Sequence, residues 1–454
     1  MALSAQEAVL LDKHYETYQG NQARDELMSR YRDGEQRIAQ LGMAVPPDFR
    51  RFLLVANWPG MYVDSIVSRQ DVRALYLPGQ YEADPTLSAV FDANNLDSEL
   101  SLFLDDRYTY GRAFLSVGAN EDDATVPLVH VESPREMTAT VDIRRRRMTS
   151  AVRFYGTTDG SIVSGNPAIH GPTDATLYLP DVTVWVQRRA DGQWAELDRD
   201  QHRLGRVPVV MSLCRRRSGV MEGRPIITRV NDIADAAARA LTNLQFASEA
   251  HGVPQRWALG VSKGDFVDKD GKPLPVWEAY FGSIWANQSK DAKVGQFTAS
   301  DLTNFETQLK IYAAIAGSVT YLPLRYFGLT TPTNPPSADS IRAEEASFVK
   351  FVEMENAQVG AVLGWAASLA YWFASGEKVD GSRIEVDWVN PATPTIAQRE
   401  DALAKRYAAG VISREGYWDE LGWSEARKTK ERQYLAAEAA EGLTNLKLDA
   451  GVGA

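Results

Sequence analysis

The chain has 454 residues and a single cysteine, Cys214. That excludes a disulfide framework within the chain and suits a reducing compartment, with Cys214 expected as a free buried thiol. Histidine is scarce too: His14, His130, His170, His202 and His251 fall in separate segments, and no pair has metal-ligand spacing. Acidic groups at Asp105 and Asp106, at Glu121 to Asp123, and at Asp268 and Asp270 do not repeat the spacing of a calcium loop and read as solvated loops. Neither GxxxxGK(S/T) nor GxSxG occurs, and Cys214 has no recognisable partner histidine. No catalytic residue, metal or cofactor is therefore assigned. The longest apolar run, Ala361 to Ala374, is about fourteen residues, short of the roughly 20 that a membrane span requires. The GxxxG spacing of Gly360 and Gly364 would matter only in a bilayer. The N-terminus has no basic stretch leading into an apolar core, so no signal peptide is expected and the chain is expected to stay in the cytoplasm. Cations are also in deficit: 49 Lys and Arg stand against 60 Asp and Glu, giving a net charge of −11. This is opposite to the footprint of a protein that grips nucleic acid, so any DNA contact must be local or weak.

What is present is ample apolar material, 44% of the residues, enough for sizeable cores in two to four domains. Ser4 and Glu7 form a capping box, and Val9, Leu10, Tyr15 and Tyr18 continue a helical rhythm to Gly20. A second helix is expected from Gln22 to Leu41, ending at Gly42. From Tyr108 to Ser212 short β-branched runs alternate with turn residues, predicting an antiparallel sheet region with a hairpin turn at Asp191 and Gly192. Pro225 in a first-turn position opens a helix to Gly252, with Ile226, Val230, Ile233, Ala237, Leu241 and Leu244 as its apolar stripe. A compact mixed stretch follows, then a helix over Ala299 to Thr320 and a charge-free loop, "GLTTPTNPP". Next comes one helix from Ser337 to Ser375, roughly 58 Å long at about 1.5 Å per residue. The tail reads as three short helices, opened by Thr395 with Gln398, by Ser413 and by Ser424, with Gly410 stopping the first.

Two basic runs, Arg144 to Arg147 and Arg215 to Arg217, are open to two readings. Adjacent guanidinium groups attract phosphate. Without interleaved aromatic residues they do not make a single-strand platform, and intersubunit or intradomain ion pairs with the excess acid are the preferred reading.

The order of these parts resembles the portal proteins of tailed bacteriophages, in particular siphophages of actinobacteria. The stretches that carry the likeness are "GRAFLSV", "HRLGRVPVV", "VNDIADAAARALTNLQFASEAHGVPQRWALG" and "YWDELGWS". The resemblance covers nearly the whole chain and implies an α+β portal fold. Its parts would be an α/β wing (1–223), a two-helix stem (224–250 and 299–320), a small α/β clip (251–298), a tunnel loop (321–337), a long kinked tunnel helix (338–378) and a short helical crown (379–454). It further implies a ring of about twelve copies at a capsid vertex, through which double-stranded DNA is packaged and ejected. The implied partners are the terminase large subunit, a head-completion or adaptor protein, and the major capsid or scaffold protein, with no membrane. The implied location is the virion, and the host cytoplasm during assembly. Thr330, Thr331, Thr333 and Asn334 would touch passing DNA without holding it, and Lys263, Asp265, Asp270 and Lys272 would dock the motor. The apolar face of the long helix (Ile341, Phe348, Val352, Val359, Leu363, Leu369) would be covered by copies in the ring, with Gly360 and Gly364 as kink points. The competing reading is a soluble hydrolase using carboxylates of the sheet region. An adaptor is disfavoured because adaptors are much shorter.

Overall fold

The computed structural model describes residues 3–36, 54–123, 125–156, 171–189, 191–252, 256–259, 293–296, 302–328, 338–392, 396–424 and 427–438. The chain is α+β and divides into two compact units, Met1–Pro335 with Glu345–Pro391, and Pro336–Glu344 with Ala392–Ala454.

The first helix, α1 (Ala5–Asp33), begins as the sequence predicts. The Ser4 side chain accepts the Glu7 amide, and Glu7 Oε2 accepts the Ser4 N–H at 2.8 Å. It then runs straight through Gly20, correcting the expected break there and the second helix to Leu41. A glycine inside a helix costs about 1 kcal/mol relative to alanine, and packing on both sides of it offsets that cost. Leu11, Tyr15 and Tyr18 lie against a sheet, while Met28 enters the main core. The helix stops at Gly34, which takes a left-handed φ of 73° and donates its N–H to Arg30 O. Asn57 joins this end to α2 (Trp58–Val67): its Nδ2 donates to Arg32 O at 3.1 Å, and its Oδ1 accepts the Gly60 N–H at 3.0 Å.

After β1 (Val72–Tyr76), α3 (Pro85–Ala93) and α4 (Leu96–Tyr110), the expected antiparallel region is present as two sheets. β2 (Arg112–Gly118) is the centre of one, flanked by β3 (Leu128–Glu132) and β9 (Val209–Leu213). The other is a meander of β4 (Met137–Asp142), β5 (Arg147–Tyr155), β6 (Asp174–Tyr178), β7 (Thr183–Arg188) and β8 (Trp194–Asp200), paired in chain order. The Asp191–Gly192 turn forms as expected: Gly192 has φ 85°, and Asp191 Oδ1 accepts the Gln193 N–H at 3.0 Å. Side chains alternate between faces along a strand. Val152 and Phe154 therefore point with Leu177 and Val184 toward α1, while Ala151 points with Met137 toward Phe114 and Val209 of the smaller sheet.

The predicted helix at Pro225 begins later, as α5 (Asn231–Gly252), after a short 3-10 turn at Ile227–Arg229. The reason is backbone pairing: Arg224 N–H donates to Cys214 O and Ile226 N–H to Tyr108 O, both at 2.8 Å, which holds the chain extended there. β10 (Arg256–Leu259) pairs antiparallel with β11 (Lys293–Gln296), and α6 (Thr303–Thr320) packs on α5. The long helix, α7 (Ala338–Ser375), has 38 residues. Its expected cap, Ser337, lies outside the described residues.

The expectation that ring copies must cover α7 is corrected on the same evidence of packing. Phe348, Val352, Val359, Leu363 and Leu369 are buried in the chain's own main core with Tyr62, Phe103 and Tyr108. α2, α4 and the smaller sheet supply the neighbours that the sequence alone could not show. Gly360 and Gly364 permit close approach here: a Cβ on Gly364 would lie 2.5 Å from Gly381 O, and one on Gly360 3.3 Å from Trp388 Nε1. The segment they admit includes β12 (Glu385–Trp388), which pairs antiparallel with β1.

In the second unit the three-helix tail is present. α8 (Ile396–Ala408) is followed by Gly410 at φ 68°, and α9 (Arg414–Glu420) is capped by the Ser413 side chain at Gly416 N. A further helix covers 427–438, where Arg432 pairs with Glu415 at 2.6 Å. Thr395 lies outside the described residues.

His14 gives the fold a pH dependence. Its ring lies between Thr138 Oγ1 at 2.8 Å and Ser150 Oγ at 2.9 Å, and burial, with the Lys13 charge adding to it, pulls its pKa down to about 4. The unfolded chain, titrating near 6.5, binds this proton first. The contribution is therefore complete above pH 6.5 and is lost as the pH falls toward 4. Between pH 7 and 5, His14→Gln is expected to remove a loss of roughly 2 kcal/mol from the wild-type profile. Urea unfolding at a series of pH values checks this, and parallel profiles for the two proteins would contradict it. Asp106, raised to about 7 by burial and by Asp105, contributes with the opposite sign in both proteins and cancels in the difference.

Candidate functional site

The residues singled out in the sequence, Thr330, Thr331, Thr333 and Asn334 in the loop and Lys263, Asp265, Asp270 and Lys272 between β10 and β11, all lie outside the described residues. The structure does describe both feet of that loop. On the near side α6 ends with Thr320, whose Oγ1 donates to Ala316 O at 2.7 Å. Tyr321 then adopts φ 63°, an uncommon conformation for a bulky side chain, and reverses the chain. Leu322 is buried, Leu324–Phe327 form a 3-10 turn, and Phe327 meets the Trp58 ring edge-on at 5.4 Å. Gly317 makes room for this return, since a Cβ there would stand 3.0 Å from Leu324 Cδ2. The Arg229 guanidinium lies against both Tyr321 and Phe351, 5.7 and 5.8 Å from the ring centres.

On the far side stands Glu345, two turns into α7 and buried. Arg69 Nη2 lies 3.1 Å from its Oε1, and Arg325 Nη2 binds the same oxygen. Arg69 also donates to Tyr326 Oη at 2.8 Å and to Pro391 O at 3.1 Å, with its guanidinium 5.2 Å from the Phe348 ring centre. One carboxylate thus ties the chain before the loop to the chain after it. Farther along α7, Glu355 takes Arg107 Nη1 at 2.5 Å, and Arg107 is fully buried and donates also to Ser212 Oγ at 2.9 Å. Gln70 completes the row, accepting from Tyr108 Oη at 2.6 Å and donating to Asn356 Oδ1 at 2.7 Å.

None of these polar residues was singled out in the sequence, though a signal was there. Glu345 and Glu355 fall on the same helical stripe as Phe348, Val352 and Val359, and a carboxylate on a buried face requires a cationic partner.

Several carboxylates in and beside the sheet region, on which the hydrolase reading depends, are held by arginines or amides. Glu132 accepts from Ser116 Oγ at 2.6 Å and lies 2.9 Å from Arg153 Nη1, and Glu136 accepts from Arg153 Nε at 3.2 Å. Asp25 takes Arg112 at 2.5 Å, while Asp142 accepts the amides of Arg144 and Arg145. Cys214 is the expected free buried thiol, pushed up to about 12 chiefly by desolvation. Among the described residues no group of three His, Cys, Asp or Glu is placed to hold a metal ion, and no helix is long and apolar enough to cross a membrane.

Comparison with known proteins decides the family. The profile of phage portal proteins, SPP1 Gp6-like, matches residues 5–443. The chain belongs to the phage portal proteins. The portal protein of Mycobacterium phage L5 is 35% identical over 425 residues, covering 91% of this chain and 85% of that one. The portal protein of Mycobacterium phage D29 is 35% identical over 446 residues, covering 93% and 90%. Among solved structures, a chain in the neck of an empty gene transfer agent particle superposes with a TM-score of 0.42 at 16% identity, over 85% of this chain and 95% of that one. A chain in the virion of a native gene transfer agent particle gives 0.41 at 15% identity, over 84% and 94%. Portal proteins are a structural family.

The buried pair under α7 yields a test. Glu355→Leu alone leaves Arg107 charged and unpaired in the core and is expected to destabilise the protein by about 3–5 kcal/mol. The double variant Arg107→Met/Glu355→Leu is expected to recover most of that loss. Urea unfolding of the three proteins measures it, and a double variant as unstable as the single one would contradict the argument.

Proposed function

We propose that this portal chain assembles into a closed ring of about twelve copies at one capsid vertex. The ring is the conduit through which double-stranded DNA enters during packaging and leaves on ejection. In this reading residues 1–223 form the wing, α5 and α6 the stem, the segment between them the clip, 321–337 the tunnel loop, and α7 the long helix crossing the ring. The small C-terminal unit is the crown, taken from 392 because β12 belongs with β1 in the larger unit. The clip, with Lys263, Asp265, Asp270 and Lys272, would meet the terminase large subunit and later a head-completion or adaptor protein, and the rim would meet major capsid or scaffold protein. Assembly would occur in the host cytoplasm, and the finished ring would reside in the virion.

The observation that supports this reading is the charge-free sequence of the loop next to a described foot, the residues 320–328 and Glu345. "LTTPTNPP" offers hydroxyls and an amide but no cation, so a duplex can slide past without the counterion release that would make it stick. The Glu345 clamp with Arg69 and Arg325 ties residue 325, before that loop, to residue 345, after it. The ring also has a surface to close on. Ile311 and Ile315, one turn apart on α6, are 54% and 45% exposed, an uncovered apolar face suited to the next subunit.

Native mass spectrometry across protein and salt concentration, with negative-stain imaging, is expected to find a species near twelve times 50.3 kDa with a central hole. Ile311→Lys/Ile315→Lys is expected to shift it to the monomer. A chain that stays monomeric under every condition, capsid and scaffold proteins included, would count against the ring.

A further inference from the structure

Within the chain, the arginine run at residues 144–147 makes few of the ion pairs that its sequence context suggested. It forms the tip between β4 and β5, where all four arginines are exposed and Arg146 takes φ 50°. Ion pairing with the excess acid is nearly absent. Among the described residues the one carboxylate close to the run is Asp142, 4.0 Å from Arg145 Nε, and its Oδ1 is already accepting the amides of Arg144 and Arg145. A second basic loop comes to the first: Arg147 Nη2 donates to Gly205 O, between Arg203 and Arg206. Arg203 is exposed with φ 54°. Arg206 is half-buried, its guanidinium lying 3.5 Å from the Trp365 ring centre. Burial and the neighbouring Arg147 charge pull Arg206 down to about 10, with Asp380 opposing them. Arg144, Arg145, Arg146, Arg147, Arg203 and Arg206 therefore converge from two loops. The aspartates that answer them are Asp142, Asp380 and Asp181, the last already accepting the Gly205 N–H at 2.8 Å. This is a local excess of positive charge on a chain whose net charge is −11.

The patch has little apolar area of its own, Ile143 being its exposed hydrophobic residue. A protein partner would need an apolar centre to exclude water, whereas a phosphate backbone needs only cations that release its condensed counterions. No aromatic side chain stands in the tip to stack on an unpaired base. We propose that this two-loop arginine surface docks the backbone of duplex DNA without regard to sequence, through residues other than those of the loop at 329–337. The proposal rests on the portal reading for the presence of a duplex near the chain.

The test is fluorescence anisotropy of a labelled 30-base-pair duplex (about three helical turns) with the full-length protein, titrated from about 20 to about 200 mM salt. The comparison is Arg144→Ser/Arg145→Ser/Arg146→Ser, whose side chains are exposed, with thermal unfolding to confirm an unchanged fold and native mass spectrometry to record assembly in both. The wild type is expected to bind weakly at low salt and to lose affinity steeply as salt rises. The triple variant is expected to bind at least tenfold more weakly at the lowest salt, with the slope of log K against log salt smaller by about three. Equal binding and equal slopes in the two proteins, or no binding by the wild type at the lowest salt, would overturn the proposal. Displacement of the duplex by polyglutamate at matched charge would overturn it in favour of an acidic protein partner. Loss of the ring with duplex binding intact would count against the portal reading alone, and absent duplex binding with an intact ring against this surface alone.

Discussion

The larger unit depends on burying one face of a 38-residue helix that carries carboxylates among its apolar side chains. An unpaired carboxylate in a core costs several kcal/mol, and a paired one is tolerated only with good geometry and its remaining lone pairs satisfied. Glu355 meets that condition through Arg107, which is itself held by Ser212, and Glu345 meets it through Arg69 and Arg325. The helix can therefore lie in the core in one rotation only, because turning it would leave several charges without partners. The positions of α4, the smaller sheet and the foot of the loop are tied to that choice.

A second constraint acts through α1. It spans two environments, lying against the five-stranded meander near its start and the main core near its end. The Asp25–Arg112 pair, with Asp25 fully buried, fastens it to β2 between them. Because Phe114 of β2 also packs against Met137 and Ala151 of the meander, the two sheets and the helix form one continuous body. Such a body suits a subunit that must keep its shape while a partner passes through the assembly.

Charge is distributed to the same end. Several buried or partly buried cations are locked in ion pairs with acid, among them Arg107, Arg112 and Arg69, and the stretch 328–337 before α7 carries no charge. One cluster of exposed arginines lies on the β4–β5 tip beside the loop containing Arg206, on elements other than those that carry the Glu345 clamp.

The sequence by itself determined the family, the α+β class, the antiparallel region with its Asp191–Gly192 turn, the long helix to within a residue, and the capped helices of the tail. The family rests on the likeness of whole stretches to portal proteins, while the other features depend on local periodicity, capping and turn chemistry, which neighbouring residues fix. It misjudged Gly20, the start of α5 and the cover of α7. Each of those was settled by a distant partner: the two cores under α1, the Cys214 and Tyr108 carbonyls beside residues 224–226, and the chain's own core against Phe348 to Leu369. The loop and clip residues chosen from the sequence lie outside the described residues, so their geometry is a proposal and the described site is its foot. That foot, the Arg107–Glu355 pair and the convergence of the two arginine loops were decided by tertiary structure alone. Each joins residues far apart in the chain, and only folding brings a carboxylate and its arginine, or two sets of arginines, to the same place.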